Sequence, residues 1–487
     1  MKILVVGLDC AAPELLFGDE RLANIRRLME GGCYGRLESV NPPTTVPAWM
    51  CLATSRDPGS LGVYGFRNRN DYSYNQLSTA DSRSFRDLTM WDQVARTGGR
   101  THLIAVPPGF PPRRVNGVWI SCFLTPDPNK DVYTHPAGVA EEIKRLVGEY
   151  PVDVKGFRTN HKDWLRDEIY AMSRKHFEVV RHYLKNTEWD FFQFVEIGVD
   201  RMHHGFWKCH DRQHVLHEPG NLYQQVIRDY YCYLDDELGR ILELLTEDTA
   251  VLVASDHGAQ RLDGAFCLNE WLLREGLLVL DEKPQQPTPF NPLQVNWEKT
   301  RAWSEGGYCA RVFINVKGRE PSGPIAQNDR VKFRDELAAR LSALTDENDR
   351  PMGTQVFKPE EIYRRINSVP PDLIVHLDGL YRRAIDSVGH GTLHLRENDT
   401  GPDDCNPSQF GAFILAASNN PLRGEVQGAR LLDLAPTLLE LAGHDIPETM
   451  QGRSLLAGKQ PGSGGSPAPS ADAEETVRQR LTGLGYI

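Results

Sequence analysis

Three apolar, strand-like runs of this chain end in residue types that bind metal ions. Ile3-Leu4-Val5-Val6-Gly7-Leu8 runs into Asp9. Phe191-Phe192-Gln193-Phe194-Val195-Glu196-Ile197 is followed by Asp200 and His204. Val251-Leu252-Val253-Ala254-Ser255 runs into Asp256-His257. A buried parallel strand delivers its last residues to one rim of its sheet, where open α/β folds place their sites. Three such strands in one sheet gather carboxylate and imidazole groups at that rim, as a dinuclear metal site requires.

Around these runs, apolar stretches alternate with helical patterns, as in βαβ units. Strands are expected at 3–8, 101–106, 191–197, 250–255, 372–377 and 411–417. Helices are expected at 20–31, 84–98, 138–149, 161–186, 221–245, 328–345 and 431–442. The implied fold is α/β: a mostly parallel central sheet sandwiched by helices. Residues 107–160 and 278–300 are rich in Pro, Gly and aromatics and read as rim insertions that form a cap and shape a pocket. The catalytic domain spans 1–457. By composition 458–474 is a flexible linker, and 475–487 is a C-terminal tail.

The net charge of -11 argues against binding a nucleic-acid polymer or an anionic membrane. It leaves a small phosphorylated substrate open, because bound dications reverse the local field. No run approaches the ~18 apolar residues of a membrane span. Nine scattered cysteines with no CxxC pair read as reduced thiols in a cytoplasmic protein. The N-terminal apolar run, broken at once by Asp9, reads as a first core strand rather than a signal peptide.

Each element of the constellation also has an ordinary reading. Asp9 is a candidate N-cap for the next helix. Asp200 and His204 lie four apart, so on a helix they share a face, yet a helix-surface pair has the same spacing. Asp256-His257 needs a turn to converge, which Gly258 permits. Between Gly35–Val40 and a helix holding Trp49, Thr45 stands near a helix start marked by Pro47. There it is either an N-cap or a nucleophile beside backbone N–H groups that favour an anion. Carboxylate and imidazole donors suit zinc or manganese.

Taken in order, Gly7-Leu8-Asp9, Pro43-Thr44-Thr45-Val46-Pro47-Ala48-Trp49, Asp200-Arg201-Met202-His203-His204 and Ser255-Asp256-His257-Gly258 resemble the alkaline phosphatase superfamily. The resemblance is to its type I phosphodiesterase / nucleotide pyrophosphatase branch, and within it the predicted phosphohydrolase/phosphomutase group. Leu268-Asn269-Glu270-Trp271-Leu272, Ile314 to Glu320 and the terminal Arg480 to Tyr486 add to it. The resemblance implies two divalent metals, zinc or manganese. Asp9, Thr45, Asp256 and His257 would hold one; Asp200, His204 and a third histidine would hold the other. Thr45 would be the nucleophile, forming a phosphothreonine that is then hydrolysed, with Thr44 the fallback.

The third histidine departs from the pattern. The family's last ligand lies a few residues before the final Gly-apolar strand, here Gly411 to Leu415, and Pro407 stands four before it. His390 and His394 are the candidates, with His390 preferred, and the acidic loop Glu397 to Asp404 is a source of a compensating ligand. The family's phosphoryl-binding asparagine corresponds to Asn68, with Arg67 an alternative donor. The expected function is hydrolysis of a phosphodiester or nucleotide-type pyrophosphate. A phosphomonoesterase or phosphomutase shares the metals. A sulfatase would need a Cys/Ser-x-Pro-x-Arg motif. A degenerate binding protein is the reading that Pro407 favours.

Overall fold

The computed structural model describes residues 1–459; all of the expected linker beyond 459, and the expected tail, lie outside the described residues. Its centre is a ten-stranded sheet. The strands are β1 (Lys2–Leu8), β2 (Cys33–Glu38), β3 (Thr101–Ile104), β4 (Gly117–Ile120), β5 (Thr134–His135), β6 (Phe191–Glu196), β7 (Thr249–Ala254), β8 (Phe410–Ala416) and β9 (Gly424–Glu425). They lie in the spatial order β9-β2-β8-β7-β1-β6-β3-β4-β5, with Ala429–Arg430 also pairing β2.

The three strands expected to carry ligands are adjacent. β1 pairs in parallel with β6 on one side and β7 on the other, with Leu8 opposite Glu196 and Gly7 opposite Ala254. Their C-terminal ends therefore meet at one rim. Among these pairings, β8 runs antiparallel to β7 and β2, and β5 runs antiparallel to β4.

The alternation of β1 sorts its side chains between two cores. Leu4, Val6 and Leu8 pack on the face covered by α2 (Lys162–Asn186), α3 (Gly198–His210) and α4 (Val226–Leu242). Ile3 and Val5 pack on the face covered by α1 (Thr45–Thr54) and α5 (Leu434–Leu441). Burial on both faces explains why these strands read as continuous apolar runs.

Between β7 and β8 the chain builds a cap. An antiparallel four-stranded sheet runs in the order Ala302–Glu305, Ala310–Ile314, Leu373–His376, Gln355–Phe357. It has its own core around Trp271, Trp303, Phe313 and Leu373. The 372–377 strand expected of the main sheet belongs here instead. The 107–160 segment also differs from expectation: it supplies β4 and β5, the edge of the main sheet, and the helix Val139–Val147. Strands of four and two residues set among prolines leave too short a pattern to read. The 278–300 segment packs against the cap, where Trp297 stacks on Tyr74 at 3.7 Å, and it contributes no wall to the cavity over Thr45 and Asp200. No helix among the described residues is long and apolar enough to cross a membrane.

Candidate active site

Asp9 leaves the end of β1 and is fully buried. The next residue, Cys10, has φ 65°, a left-handed conformation uncommon for a residue with a Cβ. That turn aims the Cys10 N–H at Asp256 Oδ1, 3.1 Å away. Asp256 and His257 leave β7 beside it. Asp9, Asp256 and His257 bring one ligand atom each to within 4.8 Å of one another.

Gly258 does not supply the left-handed turn expected of it. Its role is close approach, since a Cβ there would stand 2.0 Å from the Phe410 carbonyl oxygen.

Thr45 is the first residue of α1, and Thr44 is the N-cap but makes no side-chain capping bond. The ordinary capping role is therefore unfilled. The Thr45 hydroxyl instead lies 3.5 Å from Asp9 Oδ1 and 3.3 Å from His257 Nε2. One turn on, Trp49 Nε1 donates to Asp9 Oδ2 at 2.8 Å. Asp9 is thus held by the same helix that presents Thr45.

The electrostatics of this group call for a cation. Burial, then the charges of Asp256 and Asp200, raises the Asp9 carboxyl well above its usual range. Burial, with Asp200 adding to it, does the same to Asp256. Burial pulls the His257 imidazole down, but Cys10 and Asp9 outweigh it and bring it up to about 9. Asp256 Oδ2 is buried without a hydrogen bond and lies 3.2 Å from His257 Nε2. Adjacent buried carboxylates, an imidazole and a hydroxyl form the donor set of a divalent ion, and these residues fit one.

The second group sits on α3. His204 Nε2 is 3.2 Å from Asp200 Oδ1, as their spacing on a helix predicts. Arg201 bonds the other Asp200 oxygen and grips Asp153 with two bonds of 2.7 and 2.9 Å. Against burial, the His204 and Arg201 charges hold Asp200 well below the usual carboxylate range. His204 Nδ1 is bonded to Asp403. Burial lowers His204, but Asp403, Tyr308 and Asp200 outweigh it and raise it.

The structure does not bring His390 or His394 to this group. His390 Nε2 pairs with Ser387 Oγ at 2.8 Å. His394 pairs with Phe266 in a three-stranded cap sheet and lies 3.8 Å from Glu347. Pro407 lies opposite Ala259 in a short ladder behind Asp256-His257. Asn68 closes a turn, accepting from Tyr64 N at 2.7 Å and donating to the Gly65 carbonyl at 2.9 Å. The neighbouring Arg67 faces the cavity instead.

That cavity, about 410 Å³, opens over Thr45 and Asp200. Five arginines line it: Arg67, Arg158, Arg201, Arg311 and Arg383. Of the aromatic residues of the 107–160 segment, Phe123 and Phe157 line the cavity. Trp119 and Tyr133 are buried core. Sequence reasoning missed Tyr308, Arg158, Arg311 and Arg383, which come from cap strands and from loops of the cap and the 107–160 segment, without a motif. Asp403 lies in the acidic loop singled out for a compensating ligand.

A family model described as type I phosphodiesterase / nucleotide pyrophosphatase matches residues 3–389. The chain belongs to that family. It is a hydrolase of phosphate ester bonds. No curated protein sequence matches the chain. Among solved structures, it is similar to human ectonucleotide pyrophosphatase / phosphodiesterase 5 at 13% identity and a TM-score of 0.53, covering 94% of this chain and 98% of that one. It is also similar to phosphonoacetate hydrolase from Sinorhizobium meliloti 1021 in complex with phosphonoformate. There the identity is 16% and the TM-score 0.58, covering 90% of this chain and 95% of that one. At these identities the likeness is one of fold, and it covers the central sheet and the cap alike.

Proposed function

We propose that this phosphoester hydrolase is metal-dependent and cleaves a phosphodiester or nucleotide-type pyrophosphate through a covalent phosphothreonine at Thr45. The observation that carries the reading is the Thr45 hydroxyl, at the first residue of its helix and directed at Asp9 and His257. Two divalent ions, zinc or manganese, held by Asp9, Thr45, Asp256 and His257 and by Asp200 and His204, would supply Lewis-acid charge and lower the pKa of an attacking hydroxyl.

The chain's own residues do the rest. Trp49 fixes Asp9, and Asp9 with His257 fixes Thr45 Oγ1 at the floor of the cavity. The backbone N–H groups at the start of α1 face the phosphoryl oxygens. Thr45 Oγ1 loses its proton and forms the new P–O bond as the P–O bond to the leaving group breaks, and the departing oxygen takes up a proton from solvent. Water then displaces Thr45 from the opposite side, so two inversions retain configuration at phosphorus. The cavity arginines hold the remaining anionic oxygens with planar, charge-assisted bonds. Nine free cysteines, all buried except the half-buried Cys232, support a reducing, cytoplasmic setting.

The test is turnover of bis-p-nitrophenyl phosphate against p-nitrophenyl phosphate, before and after chelation. The reading predicts faster diester turnover, lost on chelation and restored by Zn²⁺ or Mn²⁺. Turnover untouched by chelation contradicts it, and a strong monoester preference moves the assignment to a phosphatase or phosphomutase.

A further inference from the structure

The second ligand group has two protein donors on α3 and no third histidine. Three observations identify what stands there. First, His204 is fixed at Nδ1 by Asp403, leaving Nε2 directed at Asp200 Oδ1. An imidazole held by a carboxylate at one nitrogen, with the other facing further oxygen donors, is the usual arrangement of a metal ligand. Second, Tyr308 Oη lies 3.3 Å from that same Nε2. Its ring is stacked on His204, with centroids 5.4 Å apart and an interplanar angle of 28°. Third, two guanidiniums, both also paired with Asp403, lie against Tyr308. Arg158 Nη2 donates to its oxygen at 3.1 Å, and the Arg383 guanidinium lies 4.7 Å from the centre of its ring.

Arg201 does not take the place of the ion. Its guanidinium is committed to Asp153 and to the other oxygen of Asp200. It lies 4.2 Å from the centre of the Phe157 ring. It orients the carboxylate whose free oxygen faces His204.

We propose that Tyr308 Oη is the third protein ligand of the metal held by Asp200 and His204, standing in for the histidine that this chain lacks. The inference rests on the metal-dependent reading of the site. With an ion bound there, the Tyr308 O–H bond would break as an oxygen–metal bond formed, the proton leaving to solvent. Arg158, which donates to this oxygen, would offset the charge on it. One imidazole and two anionic oxygens make a harder donor set than one carboxylate and two histidines, so this position shifts its preference from zinc toward manganese and ferric iron.

The test uses the full chain, wild type and Tyr308→Phe, with metal content measured after equilibration with Mn²⁺ and dialysis. A parallel sample is loaded with Fe³⁺ and its visible spectrum recorded. Wild type is expected to keep two metals per chain and Tyr308→Phe one. Ferric wild type is expected to show a phenolate-to-iron charge-transfer band that the variant lacks. Two metals retained equally by both proteins, with no such band, overturn the proposal while leaving the metal-dependent reading intact. A wild type that binds no metal yet turns over diester overturns both. If Tyr308→Phe does not fold, the ferric wild-type spectrum alone decides, since absence of the band overturns the assignment.

Discussion

Three carboxylates, Asp9, Asp200 and Asp256, are buried close enough to shift one another's titration, and Thr45 reaches into their midst. Asp256 carries the sign of this crowding most simply. Its folded pKa is raised, mainly by burial, above an unfolded value of about 3.9. Such a group is protonated in both states at low pH. As pH rises past the unfolded value, ionisation favours the unfolded chain, so stability falls until the folded value is passed. In chelator, Asp256→Asn should therefore be more stable than wild type at neutral pH, with the gap closing toward about pH 4. With saturating Mn²⁺ the order should reverse, because an ion bound only by the native state stabilises it in proportion to RT ln(1 + [L]/Kd). Thermal unfolding across pH, with and without metal, checks both halves. Trp49→Phe removes the 2.8 Å bond to Asp9, and metal affinity should fall about 10–100-fold, measured by competition with a chelating dye.

The residues legible at this scale share one property. Asp9, Asp200, Asp256 and His257 follow apolar runs, and a run announces where its strand ends. Tyr308, Asp403, Arg311 and Arg383 follow no such run. They reach the site through the cap segment between β7 and β8, and spacing along the chain carries no trace of that. Asn68 shows the converse: its place in the sequence suits a phosphoryl ligand, but its amide is spent closing the turn at Tyr64 and Gly65.

At the scale of elements, β1 and α1 act as one device. Gly7 lets the two approach: a Cβ there would stand 2.5 Å from the Trp49 ring and 2.8 Å from the Val195 side chain. Gly7→Ala must push Trp49 from its place over Asp9. It should cost about 1–3 kcal/mol of stability, as overpacked cores do, and weaken metal binding in the same variant. Denaturant unfolding with metal titration on one sample tests the coupling, and a Gly7→Ala protein of unchanged metal affinity would break it. The long core strands and the helices 161–186 and 221–245 were readable, because their apolar periods extend over enough residues to count. β4 and β5 are too short for that, and the strand at 372–377 is buried like a main-sheet strand while belonging to the cap.

The whole molecule carries a formal charge of -11, yet the cavity over Thr45 is lined by five arginines against two aspartates, Asp153 and Asp200. The field at the site is set by the arginines gathered there rather than by the net charge of the chain. Exposed Arg67 stands among the arginines lining the cavity. Arg67→Ala should raise KM about 10-fold for a pyrophosphate-type substrate, the loss of one charge-assisted hydrogen bond. It should raise KM less for the singly charged bis-p-nitrophenyl phosphate, with kcat nearly unchanged for both. All of this depends on the role given to Thr45. The most direct measurement is Mn²⁺- or Zn²⁺-dependent hydrolysis of bis-p-nitrophenyl phosphate by wild type and Thr45→Ala, with metal content and melting temperature recorded for each. The account predicts a rate loss on the order of 10³-fold or more, as when a nucleophile is removed from an enzyme, in a protein that still folds. Diester turnover by folded Thr45→Ala at the wild-type rate would contradict it.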